Sequence, residues 1–282
     1  MTAAALSGDA GDVTHPWRRA KRTLADVAFG AADRAVRVGA RADALARAQA
    51  PQRVVAIGVY RDGSLLPAAL ERLASERHDV RLALGATGAA DPRLAAHTVA
   101  EHLDGGKFEN LNRVLAAAGP AEFDWLLAVD DDLLVPARFL DRFVALCSHF
   151  RLDLAQPAQS QRSHSAWRVT RRRPASLVRE TRFVEIGPLT AFGRRAAGEL
   201  VPFPELRFGW GLDLHWAALA AERGWRLGVV DATPVRHESA TVGASYSAAD
   251  AQAEAARFLA GHPHLPAARA GDVVATHRRA GG

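Results

Sequence analysis

The chain has a single cysteine, Cys147, which excludes an intrachain disulfide and any multi-cysteine zinc site. Such scarcity fits a reducing cytoplasm. Lysine is nearly as rare, because Lys21 and Lys107 are the only two among 36 basic residues and arginine supplies the rest. The formal charge of +5 therefore reflects a preference for arginine and alanine, and basicity alone points to no specific nucleic-acid partner. No apolar run approaches the ~20 residues that span a bilayer, and the N-terminus lacks the charged start and apolar core of a signal peptide. Export and membrane spanning are not expected, and the localisation predicted is cytoplasmic, with peripheral contact on the inner face of the membrane as a variant.

What the chain does have is 282 residues with 49% hydrophobic content, enough for one large domain or two small ones. From Arg18 to Ala48, Leu24, Ala28, Ala31, Ala35, Val38, Ala42 and Leu45 recur at spacings of four and three among many arginines. That periodicity predicts a basic amphipathic helix. Its apolar stripe has three outlets: the domain that follows, another copy or helix, or an anionic membrane surface. The expected division is an N-terminal arm over 1–50, a main domain over 51–265 and a flexible tail over 266–282.

Ala50-Pro51-Gln52 breaks the helical pattern, and the β-branched run from Val54 to Tyr60 starts the main domain. A helical pattern over Leu65–Leu73 and a strand at Val80–Leu84 complete the strand, helix, strand rhythm of a parallel sheet. Residues 85–106 read as a loop near a ligand, followed by a helix over Phe108–Ala118. Pro136 is expected to open another helix through Phe139, Phe143, Leu146 and Phe150. Further on, Leu152–Ala155 and Arg182–Ile186 read as short strands, Leu212–Arg223 as a helix ending at Gly224, and Trp225–Val230 as a strand before a turn over Asp231–Pro234.

The densest chemical signal is Asp130-Asp131-Asp132, which follows the apolar run Phe123–Val129. Three carboxylates so close repel one another unless a cation neutralises them, and Mg²⁺ or Mn²⁺ takes oxygen ligands of this kind. The carboxyl ends of strands in an open α/β sheet are also where ligands bind. A solvated turn or helix cap is the plain alternative, since aspartate is favoured at both.

Four separated pieces then fall in order: Lys107-Phe108-Glu109-Asn110-Leu111-Asn112, the aspartate triplet, Phe208-Gly209-Trp210-Gly211-Leu212-Asp213, and Val229-Val230-Asp231 with His237. On these pieces the chain resembles nucleotide-sugar glycosyltransferases of the GT-A fold, particularly the family 2 type and a glycosyltransferase-like family with a similar Trp-Gly-Leu-Asp, Val-Val-Asp and His. The resemblance covers roughly residues 53–240 and leaves the first fifty unexplained. It implies an α/β, GT-A-like mixed sheet flanked by helices, preceded by a basic helical arm.

It also implies roles. Asp130 and Asp132 match the strand-end D-x-D pair that binds a divalent ion and the nucleotide sugar, with Asp131 able to replace either. His237 corresponds to a late histidine that adds a metal ligand, giving a set of Asp130, Asp132 and His237 for Mn²⁺ or Mg²⁺. Asp213 matches the general base of inverting enzymes, although the glutamate usual before it is Leu212 here. Tyr60, Asp62, Lys107, Asn110, Asp130, Asp131 and Trp210 are the donor-binding candidates, and Trp216 flanks Asp213 as a stacking or core residue. The segment Leu84-Gly85-Ala86-Thr87-Gly88 lacks the acidic residue often found after the second strand, so the base of the donor is not specified. The implied reaction moves a sugar from a nucleotide-diphosphate donor to a glycan, lipid-linked or small-molecule acceptor. A nucleotidyltransferase and a non-catalytic nucleotide-sugar or glycan binder are the alternatives. A haloacid dehalogenase-type phosphotransferase fits less well, because its motif needs Thr or Val where Leu134 stands.

Overall fold

The computed structural model describes residues 15–119, 121–238 and 247–281. Eight helices are assigned among them: α1 (Pro16–Ala35), α2 (Val38–Ala48), α3 (Leu66–Leu73), α4 (Lys107–Ala118), α5 (Phe139–His149), α6 (Arg194–Leu200), α7 (Leu212–Arg223) and α8 (Ala248–Ala260). The strands are β1 (Arg53–Tyr60), β2 (Asp79–Ala86), β3 (Thr98–Ala100), β4 (Trp125–Val129), β5 (Leu133–Leu134), β6 (Leu154–Gln159), β7 (Val178–Thr181), β8 (Leu189–Gly193), β9 (Leu227–His237) and β10 (Val273–His277).

Strand β1 shows why the sheet is central. Val54, Ala56 and Tyr60 face one core and Val55 and Ile57 the other, so both faces are apolar and must be covered. It pairs in parallel with β2 on one side and with β4 on the other. The sheet order is β10-β7-β9-β6-β8-β4-β1-β2-β3, with β5 joined to β9 off this path. Strand β8 runs antiparallel to both β4 and β6, which makes the sheet mixed. Buried residues of α2, α3 and α5 fill the core on one face, and those of α4, α6, α7 and α8 fill the other. On the latter side Trp216 is fully enclosed by Phe108, Phe192 and Phe203, so it is a core residue.

Several expectations are corrected here. The helix expected over Arg18–Ala48 is two helices, because Arg37 adopts a left-handed conformation (φ 56°) between them. Each half answers a different surface: α2 buries Val38, Ala42 and Ala46 and clamps α5 through Asp43, which accepts from Arg142 Nε at 2.7 Å and Nη2 at 2.9 Å. Pro136 does not open α5. Residues Leu133 and Leu134 are spent on β5, and the helix starts only at Phe139, after Arg138 at φ 59°.

The strand expected over Arg182–Ile186 lies earlier, at Val178–Thr181; Phe183 and Val184 are apolar because they are buried in the core, without belonging to β7. No turn interrupts Asp231–Pro234. Asp231 is fully buried and its charge is met by Arg179, with Nε to Oδ2 at 2.8 Å and Nη2 to Oδ1 at 2.9 Å, so β9 continues through it to His237. The flexible tail expected from 266 instead supplies β10, whose backbone pairs antiparallel with β7 at the sheet edge.

Candidate active site

Strand β4 is buried along its whole length and delivers the aspartates at its carboxyl end. The strand ends at Val129 and the chain turns at Asp131 and Asp132, so the middle carboxylate leaves the direction of its neighbours. Asp131 turns toward the loop after β1, where its Oδ2 accepts from Arg61 N (3.0 Å) and Nε (3.1 Å) and its Oδ1 from Arg61 Nη2 (3.1 Å). Its backbone oxygen also accepts from Leu65 N at 2.7 Å and Ser64 Oγ at 3.1 Å. These contacts tie the β1 loop to the end of β4.

Asp130 and Asp132 meet His237, with one potential ligand atom from each lying within 4.8 Å of the others. The long strand β9 brings the histidine there. Its last residues pair with β5, Leu133 opposite His237, and Glu238 N donates to Asp132 O at 3.0 Å. His237 Nε2 then lies 2.8 Å from Asp132 Oδ1, and its backbone N donates to Ser163 Oγ at 2.9 Å. Burial disfavours a charge on His237, but the hydrogen bond to Asp132 and the negative charges of Asp132, Asp130 and Glu185 outweigh it and raise its pKa. Burial likewise pushes the Asp130 carboxyl up, against the pull of Lys107 and His237.

The donor set fits a divalent ion. Two carboxylates and one imidazole make a mixed oxygen and nitrogen site that suits Mn²⁺, with Mg²⁺ preferring oxygen more strictly. Gly187 closes the same corner: a Cβ there would come within 2.9 Å of Asp130 Oδ2 and 3.2 Å of Lys107 Nζ. Lys107 opens α4, and its Nζ reaches Asp130 Oδ1 at 2.6 Å and Ile186 O at 2.9 Å. The Lys107 ammonium thus stands beside Asp130 at the N-terminus of α4, an end of the helix that favours an anion.

At the Glu185 end of the Glu185–Gly187 segment, close enough for its charge to be felt, lies Asp213. Gly209 (φ 74°) and Gly211 (φ 91°) make the left-handed turn that leads into α7, and a Cβ on Gly209 would strike the Phe108 ring at 2.3 Å. The turn sets Asp213 in the first turn of α7, buried, with its Oδ1 accepting from Leu214 N at 2.9 Å and the Trp167 indole donating to the same carboxyl group. Burial, then the charge of Glu185, raises the Asp213 pKa to about 8. Burial also raises Glu185 to about 7, against hydrogen bonds from Ala166 N at 3.1 Å and Thr170 Oγ1 at 3.0 Å; Gln159 Nε2 donates to it at 2.9 Å. Neighbouring carboxyl groups whose pKa values are pushed up together mark a place where a proton is held at neutral pH.

The remaining candidates are placed as follows. Asn110 is buried, with its amide spent on Gly105: Oδ1 accepts from N at 3.1 Å and Nδ2 donates to O at 2.8 Å. The buried Tyr60 hydroxyl pairs with Thr98 Oγ1 at 2.7 Å and accepts from Asp91 N at 3.1 Å, so it organises the loop after β2. Asp62 is exposed on the turn after β1, and Trp210 is buried in the core beside α7. Glu185 and Trp167 are the residues that sequence reasoning missed. Both lie in irregular backbone, and Glu185 reaches Asp213 only through the tertiary fold.

A parallel β2-β1-β4 centre, an antiparallel return through β8 and helices on both faces of the mixed sheet give the chain the GT-A fold. Among solved structures it is similar to GalNAc-T7 with UDP, GalNAc and Mn²⁺, at TM-score 0.50 and 13% identity over 71% of this chain. It spans about half of that protein, 47% of its chain. The mannosyltransferase PcManGT from Pyrobaculum calidifontis, in complex with GDP-Man and Mn²⁺, aligns at TM-score 0.49 and 18% identity, over 86% of this chain and 77% of its own. S. aureus TarS 1–349 in complex with UDP-GlcNAc aligns at 0.48 and 15%, over 77% and 69%. No family model and no curated protein sequence matches the chain. Among the described residues no helix is long and apolar enough to cross a membrane.

Proposed function

We propose that the chain is a metal-dependent glycosyltransferase that moves a sugar from a nucleotide-diphosphate donor to an acceptor hydroxyl with inversion. The observation that carries this reading is the single segment Glu185-Ile186-Gly187. Its Gly187 end closes on Asp130 and Lys107, its Ile186 carbonyl holds Lys107, and Glu185 acts on Asp213. Three consecutive residues therefore touch the cation corner and act on a buried carboxyl group, and a diphosphate and an acceptor hydroxyl would meet beside them.

Asp130, Asp132 and His237 would hold Mn²⁺ or Mg²⁺, which as a Lewis acid supplies charge stabilisation to a departing diphosphate. Lys107 adds a cation that faces the same anion. Asp213, in its ionised form, takes the acceptor hydroxyl proton. The acceptor oxygen forms its bond to the anomeric carbon from the face opposite the diphosphate, and the broken anomeric C–O bond leaves its electron pair on the diphosphate oxygen. Glu185 keeps the Asp213 proton affinity high, so Asp213 can receive that proton near neutral pH.

A thermal-shift screen of nucleotide sugars with and without Mn²⁺ tests the donor half, since a ligand that binds only the folded state raises its apparent stability. At a concentration about a hundredfold above Kd, the cognate donor with Mn²⁺ stabilises by roughly 2.7 kcal/mol, and Asp132→Asn removes most of that shift. Stabilisation by nucleoside triphosphates alone, or an undiminished shift in Asp132→Asn, would exclude this reading. NMR of the product's anomeric proton tests inversion: a product that keeps the donor's anomeric configuration defeats it.

A further inference from the structure

Helix α1 lies on the domain by its acidic face. Asp26 Oδ1 accepts from Gln161 N at 2.8 Å and Oδ2 from Arg162 N at 3.1 Å. One repeat of seven further on, Asp33 accepts from Ala175 N at 2.6 Å and pairs with the Arg172 guanidinium. These are the only two acidic residues in α1, and both are committed to the protein. The apolar stripe read from the sequence consequently splits at Arg37: Val38 and Ala42 go into the core, whereas Leu24, Ala28, Ala31 and Ala35 face outward.

The outward face is unlike that of an ordinary surface helix. Trp17 is 69% exposed, Leu24 70% and Val27 63%, all at helical spacing on one side. Lys21 and Arg34 border this stripe on its two edges, and Arg18, Arg19 and Arg37 are exposed nearby. Every exposed residue of α1 that is ionised at neutral pH is a cation. Contiguous apolar surface rimmed by one sign of charge marks an interaction site, and the charge selects an anionic occupant.

We propose that this face of α1 docks the protein on an anionic lipid bilayer, with Trp17, Leu24 and Val27 among the headgroups and Lys21 and Arg34 against the lipid phosphates. A helix of 20 residues is ~30 Å long and can lie flat in the interfacial layer. Tryptophan at its start is the residue type that settles at the boundary between headgroup and acyl chain. A second copy fits poorly, because a two-fold pairing of this face would set the same cationic edges against each other. The docking helix is fixed to the domain by Asp26 and Asp33, so the surface is presented as a preformed face that needs no folding on contact.

Flotation of the full chain with vesicles tests this directly. Vesicles of phosphatidylcholine with about 30% phosphatidylglycerol should carry the protein at least tenfold better than phosphatidylcholine alone, and the binding should weaken with salt. The double variant Lys21→Glu, Arg34→Glu and, separately, Leu24→Asp should each lose about tenfold or more, with melting temperatures unchanged because these side chains contact solvent. Brominated lipid should quench fluorescence in the native chain and much less in Trp17→Phe. Absence of flotation with anionic vesicles, or unaltered flotation of both charge and apolar variants, overturns the proposal. Sedimentation equilibrium showing a dimer that Leu24→Asp dissolves assigns the face to a second copy and also overturns it.

Discussion

Asp213→Asn is expected to give a protein that melts at a higher temperature than the native chain, binds donor, and transfers sugar ~10²–10⁴-fold more slowly. The rate follows from the loss of a proton acceptor. The stability follows from linkage: the Asp213 carboxyl is held at about 8 and Glu185 at about 7, above the ordinary 3.8 and 4.5. Between the ordinary and raised values the folded chain binds more protons than the unfolded one, so stability falls as pH rises from about 4 to about 8 and then levels off. An amide carries no such charge and keeps an oxygen for the Leu214 N–H.

At pH 8 the gain should be roughly 2–4 kcal/mol, or about 4–8 °C in Tm, vanishing by about pH 4. Scanning calorimetry at both pH values, beside single-turnover transfer assays, checks the pairing of effects. A variant that is slow and also less stable at pH 8 would contradict a buried, proton-holding Asp213. Glu185→Gln provides the complementary check. Without the neighbouring charge, the pKa of Asp213 moves down, and the acid limb of the pH profile for kcat/KM moves to lower pH with it.

Asp231→Ala should produce the largest loss of stability of any single change near the site, about 3–5 kcal/mol. Arg179 and Asp231 are both fully buried, and the guanidinium also donates to Val169 O at 2.5 Å and Arg171 O at 2.7 Å, while Arg173 N donates to Asp231 Oδ1 at 2.9 Å. Removing the carboxylate leaves a cation in the sheet interior with no counter-ion, and the desolvation it suffered on burial is no longer offset. Replacing both partners together, as Arg179→Met with Asp231→Leu, should recover most of that loss, since an apolar pair of similar volume carries no such penalty. Urea unfolding of the single and double variants measures the difference. A double variant as unstable as Asp231→Ala would mean that the hydrogen bonds to 169–173, and not the ion pair, hold β9 in place.

Local patterns were readable where local physics decides them. β1 announces itself through β-branched residues apolar on both faces, and α7 through its glycine stops, with Gly224 in the left-handed conformation (φ 64°) that ends the helix. The Asp130, Asp132 and His237 group was legible because strand-end aspartates and a late histidine form a recognisable order along the chain. Partners across the fold were not. Nothing in Val184-Glu185-Ile186 says that its carboxylate will meet Asp213, and nothing in the aspartate triplet says that Arg61 will claim the middle member. Strand β8 has one β-branched residue in five, and β10, although Val273, Val274 and Thr276 are β-branched, is only five residues long at the sheet edge, so neither stands out before its neighbours in the sheet are known.

The junction of β5 with β9 sets the time at which this chain becomes whole. Leu133 and His237 are paired neighbours in space although they lie about a hundred residues apart along the chain, and a closure that long is slow relative to local folding. During synthesis Asp130 and Asp132 must emerge and wait without their histidine until β9 has been made. Until then the cations near them are Lys107, which pairs with Asp130, and Arg61, whose charge acts on Asp130 and Asp132 from the loop after β1, and both are made long before β9.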